Sequence, residues 1–316
     1  MPVARLHRPL IVVAGLMAVL ALATLVGIFA DDRTLLGVPI WLKPFKFSVS
    51  IAIYSVTIAW LLPLLERRPR TAWWLGTIIA AAMLIEITII AGQAARGRQS
   101  HYNVATALDG TLFSIMGATI AIAWAATLIL AVLLLIQRLP DRADALAVRL
   151  GIIVALGGMA VGFLMTMPTA AQLAQDRPSI VGAHAVGVAD GGPGLPLVNW
   201  SSTGGDLRAG HFIGMHALQA LPLFAFALAL AGRRIARLRA DRVRVRLTGV
   251  FGLLYAGLTV LVTWQALRGQ SLIHPDALTL SAAAALLVLA GAGAAWAATD
   301  GKRPSPAAVA PAGVSR

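Results

Sequence analysis

Eight stretches of this chain run for about twenty residues with almost no charge inside them, the length a helix needs to cross a hydrocarbon layer roughly 30 Å thick. They lie at 9–30, 44–65, 72–93, 110–136, 150–169, 212–231, 247–267 and 278–298. Of 316 residues, 59% are hydrophobic and 12% are charged, whereas a soluble domain carries roughly 25% charged residues. Much of the surface must therefore face lipid, which excludes a soluble enzyme, a nucleic-acid-binding domain and a disordered scaffold. No ten-residue alternating pattern of the barrel type occurs, so backbone groups must pair within helices. The fold class that follows is all-α: a polytopic membrane bundle of eight transmembrane helices. The absence of cysteine excludes disulfides, thiolate nucleophiles, iron–sulfur clusters and Cys-bound zinc.

The net charge of +13 reads as topology rather than as affinity for nucleic acid. With both termini in the cytoplasm, 18 of the 26 Lys and Arg fall on the inner side, including Arg67, Arg68, Arg70, Arg138, Arg142, Arg149 and seven arginines between Arg233 and Arg246. The outer side holds Arg33, Lys43, Lys46, Arg96, Arg98, Arg177, Arg208 and Arg268. Short basic loops stay inside, which orients the bundle N-in and C-in. Trp41 and Trp264 at outer ends, and Trp73, Trp74 and Trp296 at inner ends, fit interfacial belts. Arg5 and Arg8 before the first apolar run resemble a signal peptide. That run exceeds the roughly 7–15 residues of a signal h-region, which favours a retained helix.

Most connections are short, but 170–210 on the outer side is long and rich in Gly, Pro and Asp. A segment of that kind predicts a functional cap over the outer face, with Trp200 and Leu207 packing onto the bundle. The tail 300–316, rich in Ala, Pro and Ser, is expected to be disordered. Gln93-Ala94-Ala95-Arg96-Gly97 after the third span recurs as Gln265-Ala266-Leu267-Arg268-Gly269 after the seventh, each followed by a Ser and then a His. Four helices separate the copies. The expected organisation is a 4+4 parallel repeat, with halves 1–145 and 146–299, of the type seen in transporters. A chance match in a low-complexity chain is the plainer alternative.

Ionisable groups inside spans are expensive and therefore informative. Glu86 is the one carboxylate deep in a span, roughly 10 Å below the outer end at 1.5 Å per residue. Met83, Glu86, Ile90 and Gln93 share its helical face, and Lys46 is the expected partner cation. Lys46, Ser50, Tyr54 and Thr57 form a polar stripe on span two that should turn inward, while Lys43 snorkels to the interface. His101, His184, His211 and His274 lie in or beside outer connections, and His216 lies about one turn into span six. His211 and His216 fall on different faces and make no i, i+4 metal clamp, whereas His216 and Gln219 share one. Asp109 opens span four, where an N-cap role is the ordinary reading. Met165, Met167 and Met215 add soft ligands that would suit copper beside imidazoles. Lys46, Glu86, Gln93, Arg96, His101, Asp109, His211, His216 and Gln219 are all in the outer half, so one convergent pocket beneath the cap is expected. Gly158-Met159-Ala160-Val161-Gly162 allows a close helix approach.

The strings Trp41-Leu42-Lys43-Pro44-Phe45-Lys46-Phe47, Gln93 to Asn103 and Gly210 to Gln219 resemble those of uncharacterised multi-pass bacterial inner-membrane proteins, which implies that location. The eight-helix plan is also similar to haem A synthase, whose haem-binding histidines sit in even-numbered spans. Here span six alone of these holds a histidine, so the likeness is architectural. The residues leave three readings open. A small-solute or proton-coupled transporter would use Glu86 as its titrating group, with Lys46 or Arg96 contacting substrate. A haem- or metal-binding protein would use His101, His211, His216 or His274 as ligands. An assembly or sensor protein would use the pocket for packing alone. The implied partners are the lipid bilayer and a small solute or cofactor.

Overall fold

The computed structural model describes residues 6–299, so the 300–316 tail lies outside the described residues. It is an all-α bundle of eight long apolar helices: α1 (Arg8–Ala30), α2 (Leu42–Leu61), α3 (Pro69–Ala95), α4 (Ala107–Ile136), α5 (Arg142–Met165), α7 (Leu207–Ala231), α8 (Asp241–Leu267) and α9 (Ala277–Thr299). A single turn, α6 (Ala170–Leu173), and two small hairpins lie in the connections.

Several helices run past their apolar segments because their ends are capped. α5 begins at Arg142 rather than near 150: the Asp141 carboxylate accepts the N–H groups of Ala143 and Asp144 at 2.7 and 3.0 Å, so two polar turns stay helical. Asp206 caps α7 through the N–H of Arg208. His7 caps α1: its Nδ1 accepts from Leu10, and its Nε2 lies 3.0 Å from the Trp73 carbonyl, tying α1 to α3.

Bonds between connections define the two ends of the bundle. At the cap end, Arg33 donates to the Ala95 carbonyl, Asn103 pairs with Ile180, and Ser271 donates to the Ser201 carbonyl. At the opposite, basic end, Arg149 donates to the Gln137 carbonyl, Arg244 pairs with Asp141, and Arg246 stacks on Trp296. The same packing pattern occurs in both halves of the chain. In the first, α1 meets α2 and α3, α2 meets α3, and α3 meets α4. In the second, α5 meets α7 and α8, α7 meets α8, and α8 meets α9. α4 and α5 join the halves, and Trp124 Nε1 donates to the Leu156 carbonyl there.

The two Gln-Ala-x-Arg-Gly segments also close alike. Gly97, at φ +67°, donates to the Ala94 carbonyl and Arg98 to the Gln93 carbonyl; Gly269, at φ +71°, donates to Ala266 and Gln270 to Gln265. Both are Schellman turns, and the left-handed conformation accounts for glycine at each. In each copy the arginine then pairs with an aspartate at the start of the next helix: Arg96 with Asp109, and Arg268 with Asp276.

The tightest helix contact joins α5 and α7. A Cβ added to Gly158 would lie 2.5 Å from the Cα of Gly214, so the backbones touch because neither residue has a side chain. Gly158→Ala is therefore expected to lower the thermal midpoint in detergent, at an overpacking cost of about 1–3 kcal/mol. Gly157→Ala, where an added Cβ has nothing within 4 Å, should be neutral or slightly stabilising because alanine is the better helix former. Equal effects at the two positions would contradict this account.

Candidate functional site: a charged chamber beneath the cap

The 166–206 connection is ordered rather than structureless. Thr169 and Gln172 form a capping box at α6, and Gln172 holds Gly182 through both backbone groups. Ala183 donates to the Met165 carbonyl, Val181 to Tyr102 and Val104 to Ser179. Strand β3 (Ala185–Val186) pairs with β4 (Gly205–Asp206), and Trp200 packs edge-on against Phe212 of α7. The α1–α2 connection adds a hairpin, β1 (Thr34–Leu35) with β2 (Val38–Pro39), whose turn residues Leu36 and Gly37 both have positive φ. Glycine fits such a turn, whereas leucine there is strained.

These elements enclose a chamber of about 140 Å³ over the cap ends of α2, α3 and α7. Its lining includes Lys43, Lys46, Phe47, Arg98, Ser100, His184, Asp190 and Arg208. The Lys46 ammonium donates to the Val198 carbonyl at 3.0 Å, and Arg208 holds Asp206 and the Asn199 carbonyl. Lys43 lies 5.9 Å from the Phe47 ring centroid. Lys46, the cation expected beside Glu86, is instead drawn to the cap, and no ion pair joins Glu86 to either lysine among the described residues.

Glu86 is 2% exposed. One carboxyl oxygen lies 3.6 Å from Nε2 of His101, and the other has no hydrogen-bond partner among the described residues. An unpaired buried oxygen is costly, and a proton or a ligand donor placed on it would remove that cost. The His101 ring is held by Phe47, Tyr102 and a 3.1 Å contact from Nδ1 to Ser100 Oγ. Tyr102, at φ +64°, packs on His184 with ring centroids 4.9 Å apart. His184 Nδ1 lies 2.9 Å from Asp190, whose carboxylate also accepts the N–H groups of His184 and Ala185.

Burial holds His101 well below the ordinary imidazole range, and Lys43, His184 and His211 push in the same direction. Burial also lowers His184, partly offset by its hydrogen bond to Asp190. Burial pushes Asp190 up, but the His184 hydrogen bond and charge, with the two backbone N–H groups, hold it far below the usual carboxylate range.

The single convergent pocket expected from the sequence divides into separate groups. Lys46 lines the chamber, whereas Glu86 and His101 lie behind its wall, with the His101 ring against Phe47 and Nδ1 beside Ser100. His211 is bound elsewhere, its Nδ1 2.8 Å from the Gly158 carbonyl. Gln93, Arg96 and Asp109 form a clamp between α3 and α4: Asp109 takes Gln93 at 2.9 Å and Arg96 at 3.1 Å. Thr106, not Asp109, caps α4, and its hydroxyl donates to Asp109. His216, Gln219 and Thr57 form a chain linking α7 to α2, with contacts of 3.2 and 2.9 Å. Tyr54 leaves the α2 stripe and bonds Thr127 of α4 at 2.6 Å. His274 is exposed between α8 and α9. Among the described residues, no three of His, Asp and Glu are placed to share a metal ion. Lys43, His184, Asp190 and Arg208 line the chamber without having been singled out for it, and Tyr102 packs on His184 behind them. Gly187, at φ +81°, is the one glycine between His184 and Asp190 and the one local signal of a turn there.

Because the buried imidazoles of His101 and His184 bind protons less readily than in the unfolded chain, stability rises with pH through the ordinary value of 6.5. The thermal midpoint should therefore fall on acidification from about pH 7 to about pH 5, and His101→Gln should flatten the fall. The Asp190 contribution is lost only in much stronger acid. A midpoint independent of pH across that window would contradict the assignment.

No family model matches the chain, and neither does any curated protein or solved structure.

Proposed function

We propose that this chain is a proton-coupled transporter of a small anionic solute in a bacterial inner membrane, with both termini cytoplasmic and the capped chamber facing outward. The observation that carries this reading is the buried Glu86 carboxyl, with one oxygen unpartnered, set behind the wall of a chamber lined by Lys43, Lys46, Arg98 and Arg208, with Asp190 the one carboxylate among those lining residues. The cationic walls favour an anion. Glu86 and His101 supply a site that can accept or release a proton as the solute's charge arrives. Intramembrane carboxylates of this kind commonly serve as proton relays. The orientation is supported by the excess of Lys and Arg at the opposite end.

A 4+4 duplication is part of the proposal. Its support is the matching pattern of helix neighbours and the paired Schellman turns with their Arg–Asp contacts. The chamber draws on α2 and α7, the second helix of each half, and transporter sites commonly form between repeats. The haem or metal reading has in its favour that His101 and His184 pack on the same ring, Tyr102. The spacing of the described side chains gives it less support.

Proteoliposomes containing a pH-sensitive dye, challenged separately with citrate, succinate and inorganic phosphate, test the reading. At least one anion should acidify the lumen with the wild-type protein, and Glu86→Gln should abolish the acidification while the protein remains folded. Lys43→Gln should weaken the response by about tenfold or more, since losing a charged partner costs about 1.5–3 kcal/mol. Undiminished proton movement in Glu86→Gln, with an anion that the wild type carries, would refute the coupling role.

A further inference from the structure

The basic end holds a second pocket, of about 120 Å³, where the turn between α2 and α3 meets the end of α4. Leu65, Leu133 and Ile136 form its apolar wall, and Arg67, Arg68 and Arg138 bring three guanidinium groups to it. Among the described residues these three side chains have no hydrogen-bond or ion-pair partner. Glu66, on the same turn, is exposed and pairs with none of them. Gln137 also lines the pocket, and behind it Arg149 of α5 donates Nη2 to the Gln137 carbonyl at 2.9 Å, while its buried Nε has no acceptor. Three solvent-exposed guanidinium groups thus gather around one small space with no carboxylate among its lining residues, an arrangement that an oxyanion would neutralise. Guanidinium forks match phosphate oxygens in geometry as well as charge.

The surroundings decide which phosphate. Ile136 is 67% exposed, and Val132 and Ile129 continue from it along α4 at 50% and 48% exposure. Their spacing keeps them on one face of the helix, so an apolar track leads from the pocket along the bundle. A free phosphate has no use for such a track, whereas acyl chains do. We propose that this pocket binds the phosphate headgroup of an anionic phospholipid, with its acyl chains lying along Val132 and Ile129. Basic pockets between transmembrane helices recognise such headgroups elsewhere. The site is separate from the chamber and does not depend on the transport reading.

Full-length protein in neutral detergent, titrated with cardiolipin, dioleoylphosphatidylcholine or inorganic phosphate and read by native mass spectrometry, tests the proposal. Cardiolipin should bind saturably and about tenfold or more tighter than phosphatidylcholine. Arg67→Gln, Arg68→Gln and Arg138→Gln together should remove that preference. The triple change Arg233→Gln, Arg234→Gln and Arg237→Gln, which removes equal charge at the same end, should preserve it. If the first triple variant does not fold, Arg138→Gln alone should weaken cardiolipin binding several-fold. Equal losses in the two triple variants would reduce the site to general charge attraction and overturn the proposal. Inorganic phosphate binding as tightly as cardiolipin would overturn it in favour of a soluble-anion site.

Discussion

Inside a bilayer no water is available to pair with a peptide group, so every crossing segment must close its own hydrogen bonds. That constraint makes the eight spans helical, and it places the irregular backbone at the two ends. Among the described residues, the non-glycine residues in left-handed conformations, Leu36, Tyr102, Leu197 and Asn199, are all in cap-end connections. Leu36 and Asn199 line the chamber, and Tyr102 sets the ring between His101 and His184. Strained backbone of this kind persists only where surrounding contacts hold it, and it is often found at functional sites.

Between the helices the limiting contact is small residue against small residue. Gly158 against Gly214 brings α5 and α7 together, and Gly162 leaves room for the His211 ring, whose Cε1 would lie 3.2 Å from an added Cβ. The same approach that packs α5 on α7 therefore seats the His211 ring, whose Nδ1 lies 2.8 Å from the Gly158 carbonyl. The charges follow a comparable logic. Arg208 is matched by Asp206, and Arg96 by Asp109, so these arginines hold structure in place. Lys43, in the chamber lining, has no ion pair among the described residues, and Glu86 has one oxygen without a partner, so these groups keep capacity for a ligand or a proton.

The spans were legible in the sequence because lipid imposes a length and a charge limit that apolar runs display directly. Glu86 was legible too, because a lone carboxylate in such a run has few ordinary explanations. The shared face of Met83, Glu86, Ile90 and Gln93 is buried as helical spacing requires. Partnership across helices was less accessible. Lys43 and Lys46 are one turn apart, and nothing in their spacing says that Lys46 bonds the cap at Val198 rather than Glu86. Asp109 looked like a cap but serves as a clamp, because Thr106 lies three residues earlier and takes the capping position. His184 and Asp190 meet through a loop fold that no periodicity encodes, and their role depends on Tyr102, far away in sequence.

The central claim is that the chamber lined by Lys43, Ser100, His184 and Asp190 opens at the capped face and is reached from there. The chain has no cysteine, so Ser100→Cys, a near-isosteric change in the chamber wall, places a single thiol at that site. A membrane-impermeant thiol reagent should label it in right-side-out vesicles and leave it unmodified in inside-out vesicles. Labelling only from the basic face would contradict the account.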